Sequence, residues 1–284
     1  MYTVPRTRPL NPISLAIIKA LHDIAARHQA SYFIIGATAR DILMGHVFGI
    51  APGRATRDVD FAIALEDWPQ FDAIKAALVG RGDFSSPTAE PHRLYYLVAE
   101  HGRAYPIDLI PFGKIADPGN TIAWPPDMAI IMNVTGYKEA LKHALNVDIG
   151  NALVVNVVSI PALAALKLMA WNERGLADNK DAQDLLFIMR NYHDAGNTDR
   201  LFGEALALME SCGFDIELAG AALLGYDIRL MAEVSTREAM LDVLMGPGKR
   251  DRLTVHMSSA LRIDPAIPTS LLDQFERGLQ LDKL

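Results

Sequence analysis

Asp58 and Asp60 stand one residue apart in the run TRDVDFAIAL. Side chains alternate across a strand, so both carboxylates fall on one face while Val59, Phe61 and Ile63 fall on the other. Two carboxylates side by side repel each other unless a cation lies between them. Magnesium suits that place, being hard, oxygen-seeking and often bound by one or two carboxylates together with substrate phosphates. Upstream, YFIIGATARDIL reads as a short apolar run, Gly36 and then a helical run from Ala37. Glycine at such a turn lets the backbone approach a ligand closely. The helix that follows points free N–H groups and its positive end toward an anion, and Thr38 adds a hydroxyl. A triphosphate held over Gly36, Ala37 and Thr38 would bring its α-phosphorus to metal at Asp58 and Asp60.

A third acid, Asp108, interrupts the apolar run PIDLI. A carboxylate there needs a partner or a metal, because burying it alone is costly. It is the candidate general base, or the third ligand of a site holding two magnesium ions. Chance alone supplies one Asp-x-Asp among 34 acidic residues, and Asp215-Ile216-Glu217 has the same spacing. That second pair lies in a helical region without a glycine turn before it and reads as solvated helix-end charge.

Further on, Lys167, Trp171 and Arg174 share one helix face. Two cations on an otherwise apolar helix suit β- and γ-phosphates, or else form salt bridges. Trp171 between them packs against a base or fills core. Lys180 and Asp181 open the next helix, where Asp181 and Asp184 either cap it or hold Lys167 and Arg174 in place. Arg40 and Asp41 are placed to ion-pair beside the glycine turn, with Arg40 in reach of phosphate. His92 and Arg93 precede a strand and could face the cleft.

Asn11-Pro12 opens a first helix and Tyr32–Ile35 is a buried strand. The helix from Ala37 is expected to end at Gly45, a loop to follow over Val47–Thr56, and a second strand to run from Arg57 to Leu65. Glu66-Asp67 caps a helix over Trp68–Val79. Leu94–Ala99 and Ala104–Ile110 read as a hairpin in which Pro106 marks an edge or a bulge. Gly113–Pro126 reads as loop. After Ser159-Pro161 the β-branched runs give way to Leu, Ala and Met at helical spacing. The expectation is an α+β chain: a mixed β-sheet with flanking helices over 1–158, then a helical domain over 159–284.

Composition is that of an ordinary globular chain, with half of its 284 residues hydrophobic. The net charge of -7 argues against a uniformly basic nucleic-acid binder. A single cysteine, Cys212, excludes an intrachain disulfide and fits a reducing cytoplasm. No run reaches the roughly 18 apolar residues of a membrane helix, the histidines lack zinc-ligand spacing, and no Walker-type phosphate loop occurs. The expected location is cytoplasmic.

The strand, the Gly36 turn, Asp58 with Asp60, and Asp108 together resemble the DNA-polymerase-β-like nucleotidyltransferase superfamily. Ala37 stands where a second glycine or serine is usual, and the interval from Gly36 to Asp58 is long. The segment Gly36–Asp41 followed by Leu43-Met44-Gly45 is similar to the head of CCA-adding tRNA nucleotidyltransferases. Leu166 to Arg174, followed by Lys180-Asp181 and Asp184-Leu185, is similar to the AbiEii-type toxin nucleotidyltransferases. The likeness spans about residues 30–190. It implies a nucleotidyltransferase-type fold with a helical C-terminal part that completes the nucleotide site. It further implies transfer of an NMP group from an NTP to an acceptor hydroxyl on RNA, a tRNA end or a protein. It adds Gly36, Ala37, Thr38, Arg40, Lys167, Arg174, Lys180 and Asp181 as nucleotide-binding residues, magnesium at Asp58, Asp60 and Asp108, and an antitoxin as possible partner. The rival readings are a CCA-adding-like enzyme and a non-catalytic nucleotide-binding protein with this fold.

Overall fold

The computed structural model describes residues 1–51, 58–88, 90–98, 102–176 and 178–284, with the side chains of 260 and 261 set aside. The chain divides into two compact units, Met1–Val158 and Ser159–Leu284.

The first unit opens with β1 (Tyr2–Thr3) and α1 (Pro12–Arg27). Asn11 caps α1 by accepting from the Ile13 N–H at 2.8 Å, with Pro12 in the first turn, where a missing N–H is harmless. Then come β2 (Ser31–Ile35), α2 (Gly36–Arg40) and a π-helical continuation over Asp41–Val47. Gly45 therefore does not end the helix, as its sequence position suggests. The wider π winding carries the chain through it, and Phe48 donates to the Leu43 carbonyl. Next are β3 (Val59–Leu65) and α3 (Trp68–Val79), the latter capped by Asp67, which accepts from the Gln70 N–H at 2.9 Å. β4 (Phe84–Ser85), β5 (Arg93–Val98) and β6 (Arg103–Gly113) follow. β7 (Thr121–Ala123) pairs with β8 (Ile131–Asn133) in a small ribbon, so the stretch expected to be loop contains a strand. The unit closes with α4 (Tyr137–Lys142), β9 (Leu145–Asp148) and β10 (Val154–Val157).

Among the described residues the main sheet has eight strands in the order β1-β9-β10-β2-β3-β6-β5-β4. At its centre β2 and β3 are antiparallel, β3 and β6 parallel, and β6 and β5 antiparallel. One face carries Tyr32 and Phe61, and α1 lies over it, its His22 Nδ1 2.9 Å from the Tyr32 hydroxyl. The other face carries Phe33 and Phe112, which meet Tyr137 of α4. Val59, Phe61 and Ile63 are fully buried, as their alternation with the aspartates requires.

Two prolines fit inside β6 because the strand changes partners along its length. It pairs with β5 only up to Asp108 and with β3 only from Ile107 onward. The Leu109 N–H donates toward the β5 side, to the His92 carbonyl. By alternation the Pro111 nitrogen faces that side past the last β5 pair. The Pro106 nitrogen faces the other side, before the first β3 pair.

The second unit is helical: α5 (Ile160–Arg174), α6 (Lys180–Asn191), α7 (Thr198–Leu201), α8 (Leu206–Ser211), α9 (Ile216–Met231), α10 (Val234–Met245), α11 (Lys249–Leu261) and α12 (Ala266–Gln280). Glycines let α9 and α12 pack backbone against backbone. A Cβ on Gly278 would meet the Ala222 carbonyl at 1.9 Å, and one on Gly225 the Phe275 carbonyl at 2.1 Å. Asp215 caps α9 through the Leu218 N–H, and Glu217 pairs with Arg190. The decoy Asp-x-Glu thus serves helix structure.

Candidate active site

The sheet register sets four residues in one row. Ile35 of β2 faces Asp60 of β3, Asp60 faces Asp108 of β6, and Asp108 faces Arg93 of β5. Residues in register on neighbouring strands point to the same side, so Asp60 and Asp108 stand next to each other. Asp58 comes just before β3, two residues from Asp60, and is exposed. Gly36 follows Ile35 directly and takes the left-handed φ of +67°. Its missing side chain matters twice. Few other residues adopt that backbone without strain, and a Cβ there would lie 1.9 Å from Asp60 Oδ2. The Asp60 carboxylate rests against the bare Gly36 backbone.

Thr38 is nearly buried and donates its hydroxyl to the Asp58 carbonyl at 2.7 Å. That bond ties the start of α2 to the start of β3 and so positions Asp58. Ala37 is buried beside it. Arg40 is 2% exposed and pairs with Asp41, its Nη2 2.6 Å from Asp41 Oδ1. This is the ion pair that the two positions suggested. Arg57, which flanks the acids in sequence, lies outside the described residues.

Asp108 is held by Arg93. Nε donates to Oδ1 at 2.7 Å and Nη2 to Oδ2 at 2.8 Å, a two-pronged pairing. Nη1 reaches Glu90 Oε1 at 3.0 Å, and Glu90 also accepts from the Tyr95 hydroxyl. The hydrogen bonds to Asp108 raise the Arg93 guanidinium above its ordinary value. Arg93 thus faces the acids, as its place before the strand suggested. Its pairing with Asp108 was not legible, because a one-residue slip of the hairpin would turn it to the opposite face. His92 beside it packs near Trp124, and burial lowers its imidazole pKa.

In the helical unit, Lys167 and Arg174 converge on Asp181. Lys167 Nζ is 2.9 Å from Asp181 Oδ1 and 2.7 Å from Asp184 Oδ2, and all three residues are buried. Arg174 Nε lies 2.7 Å from Asp181 Oδ2, with its side chain largely exposed. Burial by itself would raise the Asp181 carboxyl, but Lys167 and Arg174 outweigh it and bring it down to about 2. Burial likewise works against the Lys167 ammonium, and Asp181 with Asp184 reverses that, leaving it raised. Of the two roles open to Asp181, holding the cations is the one seen. Lys180 pairs with Asp178 at the surface. Trp171 is fully buried and donates to His256 Nδ1 at 3.1 Å, so it fills core rather than meeting a base.

Hard carboxylate oxygens at Asp58 and Asp60, beside a glycine-made cradle, are a donor set that fits magnesium. Asp108 fits less well, since both its oxygens already accept from a cation. Among the described residues no group of three or more His, Cys, Asp or Glu stands together so as to hold a metal ion.

A strand, a glycine turn into a helix and a row of carboxylates on the neighbouring strands define a nucleotidyltransferase. The chain belongs to the nucleotidyl transferase AbiEii toxin family of type IV toxin–antitoxin systems, whose pattern matches residues 21–242. The match extends past the quoted motifs into α10. Solved structures similar to the chain include the following three. An antigenic nucleotidyltransferase-like protein from Paracoccidioides brasiliensis has 18% identity over 72% of this chain and 93% of its own, with a TM-score of 0.43. The antibiotic-resistance factor ANT(2'')-Ia has 13% identity over 72% and 98%, with a TM-score of 0.36. The Thermotoga maritima CCA-adding enzyme complexed with tRNA has 11% identity over 96% and 82%, with a TM-score of 0.28. No curated protein sequence matches the chain. No helix among the described residues is long and apolar enough to cross a membrane.

Proposed function

We propose that the chain transfers an NMP group from an NTP to an acceptor hydroxyl on RNA or protein, the α–β phosphoanhydride bond breaking to release pyrophosphate, with magnesium held at Asp58 and Asp60, and that it acts as a growth-arresting toxin. The observation that carries the reading is the Asp60 carboxylate lying against Gly36, which unites the metal position with the phosphate turn. Magnesium, when bound, would offset phosphate charge and polarise the α-phosphorus toward attack. The chain's own residues do the positioning. Gly36 brings the backbone close to the phosphates, and Ala37 begins the run of inward N–H groups. Thr38 fixes the Asp58 main chain, and the Arg40–Asp41 pair holds α2 where it meets its π-helical continuation. In the helical unit, Arg174 is a proposed nucleotide contact, paired with Asp181. Lys167 and Asp181 keep it oriented, and Lys180 stands beside them at the surface.

The full chain, incubated with each α-labelled NTP, magnesium and total RNA or total protein, is expected to label one acceptor pool. Asp60→Asn is expected to label none. Equal labelling by wild type and Asp60→Asn, or none with any combination, would overturn enzymatic transfer. Induction in a bacterial host is expected to arrest growth, and Asp58→Ala to relieve the arrest. Normal growth with the wild-type chain well expressed would overturn the toxin role.

A further inference from the structure

We infer that Arg93 takes the place of a second metal ion at Asp108, so that the site holds one divalent cation rather than two. The inference rests on the proposed magnesium site at Asp58 and Asp60 and concerns how its third carboxylate is used.

Asp60 and Asp108 are register neighbours on parallel strands, so their charges would repel each other without a cation between or beside them. The row already contains that cation. Arg93 sits in register on the far side of Asp108, and its fork takes both carboxylate oxygens at 2.7 and 2.8 Å. Its third nitrogen is held by Glu90, which the Tyr95 hydroxyl braces from the same hairpin. The guanidinium is therefore anchored at both ends, and its side chain is only 26% exposed. A divalent ion bound to Asp108 would lie within a few ångströms of this fixed positive charge and be repelled. An ion at Asp58 and Asp60 is one strand further away. Arg93 acts through Asp108 and is a positioning residue: it neutralises the third acid and keeps its carboxylate turned toward the row.

The test counts Mn2+ bound to the full chain without nucleotide, by electron paramagnetic resonance titration, with circular dichroism to establish folding. Wild type is expected to bind one ion, and Asp60→Asn none. Arg93→Gln is expected to gain a second ion, which Arg93→Gln combined with Asp108→Asn loses again. Arg93→Lys keeps a cation and is expected to stay at one. Two ions on the wild type, or one on folded Arg93→Gln, would overturn the inference. Should Arg93→Gln fail to fold, Asp108→Asn decides alone: an unchanged count supports the inference and a lowered count overturns it. The transferase reading fails separately, through absent NMP transfer by a chain that binds its ion.

Discussion

Replacing Gly36 with alanine puts a methyl group where Asp60 now lies. The new Cβ would stand 1.9 Å from Asp60 Oδ2, 2.8 Å from its Cγ and 3.0 Å from its Cβ. Non-bonded heavy atoms pack at roughly 3.5 Å, so the carboxylate oxygen must retreat by roughly 1.5 Å. The left-handed backbone at this position, φ +67°, adds strain of roughly 1–2 kcal/mol for an L residue. Strain and displacement can be separated with Gly82, whose φ is +87° and whose built Cβ meets nothing within 4 Å. Gly82→Ala should lose similar stability in a thermal melt and keep full activity. Gly36→Ala should lose transfer by about 100-fold, since a misplacement of about 1 Å at a reacting centre has that effect. Its Mn2+ affinity should fall as well. The readouts are labelled-NMP transfer and Mn2+ titration on both variants. Gly36→Ala with the activity and metal affinity of Gly82→Ala would refute the claim that Asp60 needs the bare glycine.

Two further outcomes concern the helical unit. Asp181→Asn leaves Lys167 buried against Asp184 and should destabilise the chain by about 3 kcal/mol at neutral pH. Asp181 titrates near 2 when folded, against 3.8 ordinarily. A depressed acid contributes its full stability above its ordinary value and loses it as pH falls through the folded one. The gap between wild type and Asp181→Asn, measured by urea unfolding, should therefore be constant from pH 8 to about pH 5 and shrink below about pH 4; a gap that widens in acid would contradict the pairing. Gly278→Ala would push a methyl group to 1.9 Å from the Ala222 carbonyl and should destabilise the chain by about 1–3 kcal/mol through overpacking. An unchanged melting temperature would show that α9 and α12 do not need that approach.

The sequence by itself determined what depends on local chemistry and on the period of a single strand or helix. Asn11, Asp67 and Asp215 cap the helices they precede because a short polar side chain reaches only its own first turn. Asp58 and Asp60 are set against buried Val59 and Phe61 because a strand alternates. The strand, Gly36 and helix succession was readable for the same reason. Tertiary structure decided everything that depends on register or on winding. Whether Gly45 stopped the helix depended on a π-helical turn that no local preference dictates. Pro106 and Pro111 could lie inside the sheet only because β6 exchanges partners between them. Spacing left Lys167 open to phosphate or to salt bridges, and folding α5 against α6 buried it between Asp181 and Asp184. Arg93 and Asp108 were both visible in the chain, yet their pairing follows from hairpin register. A slip of one residue would leave the local sequence equally satisfied and put the arginine on the other face.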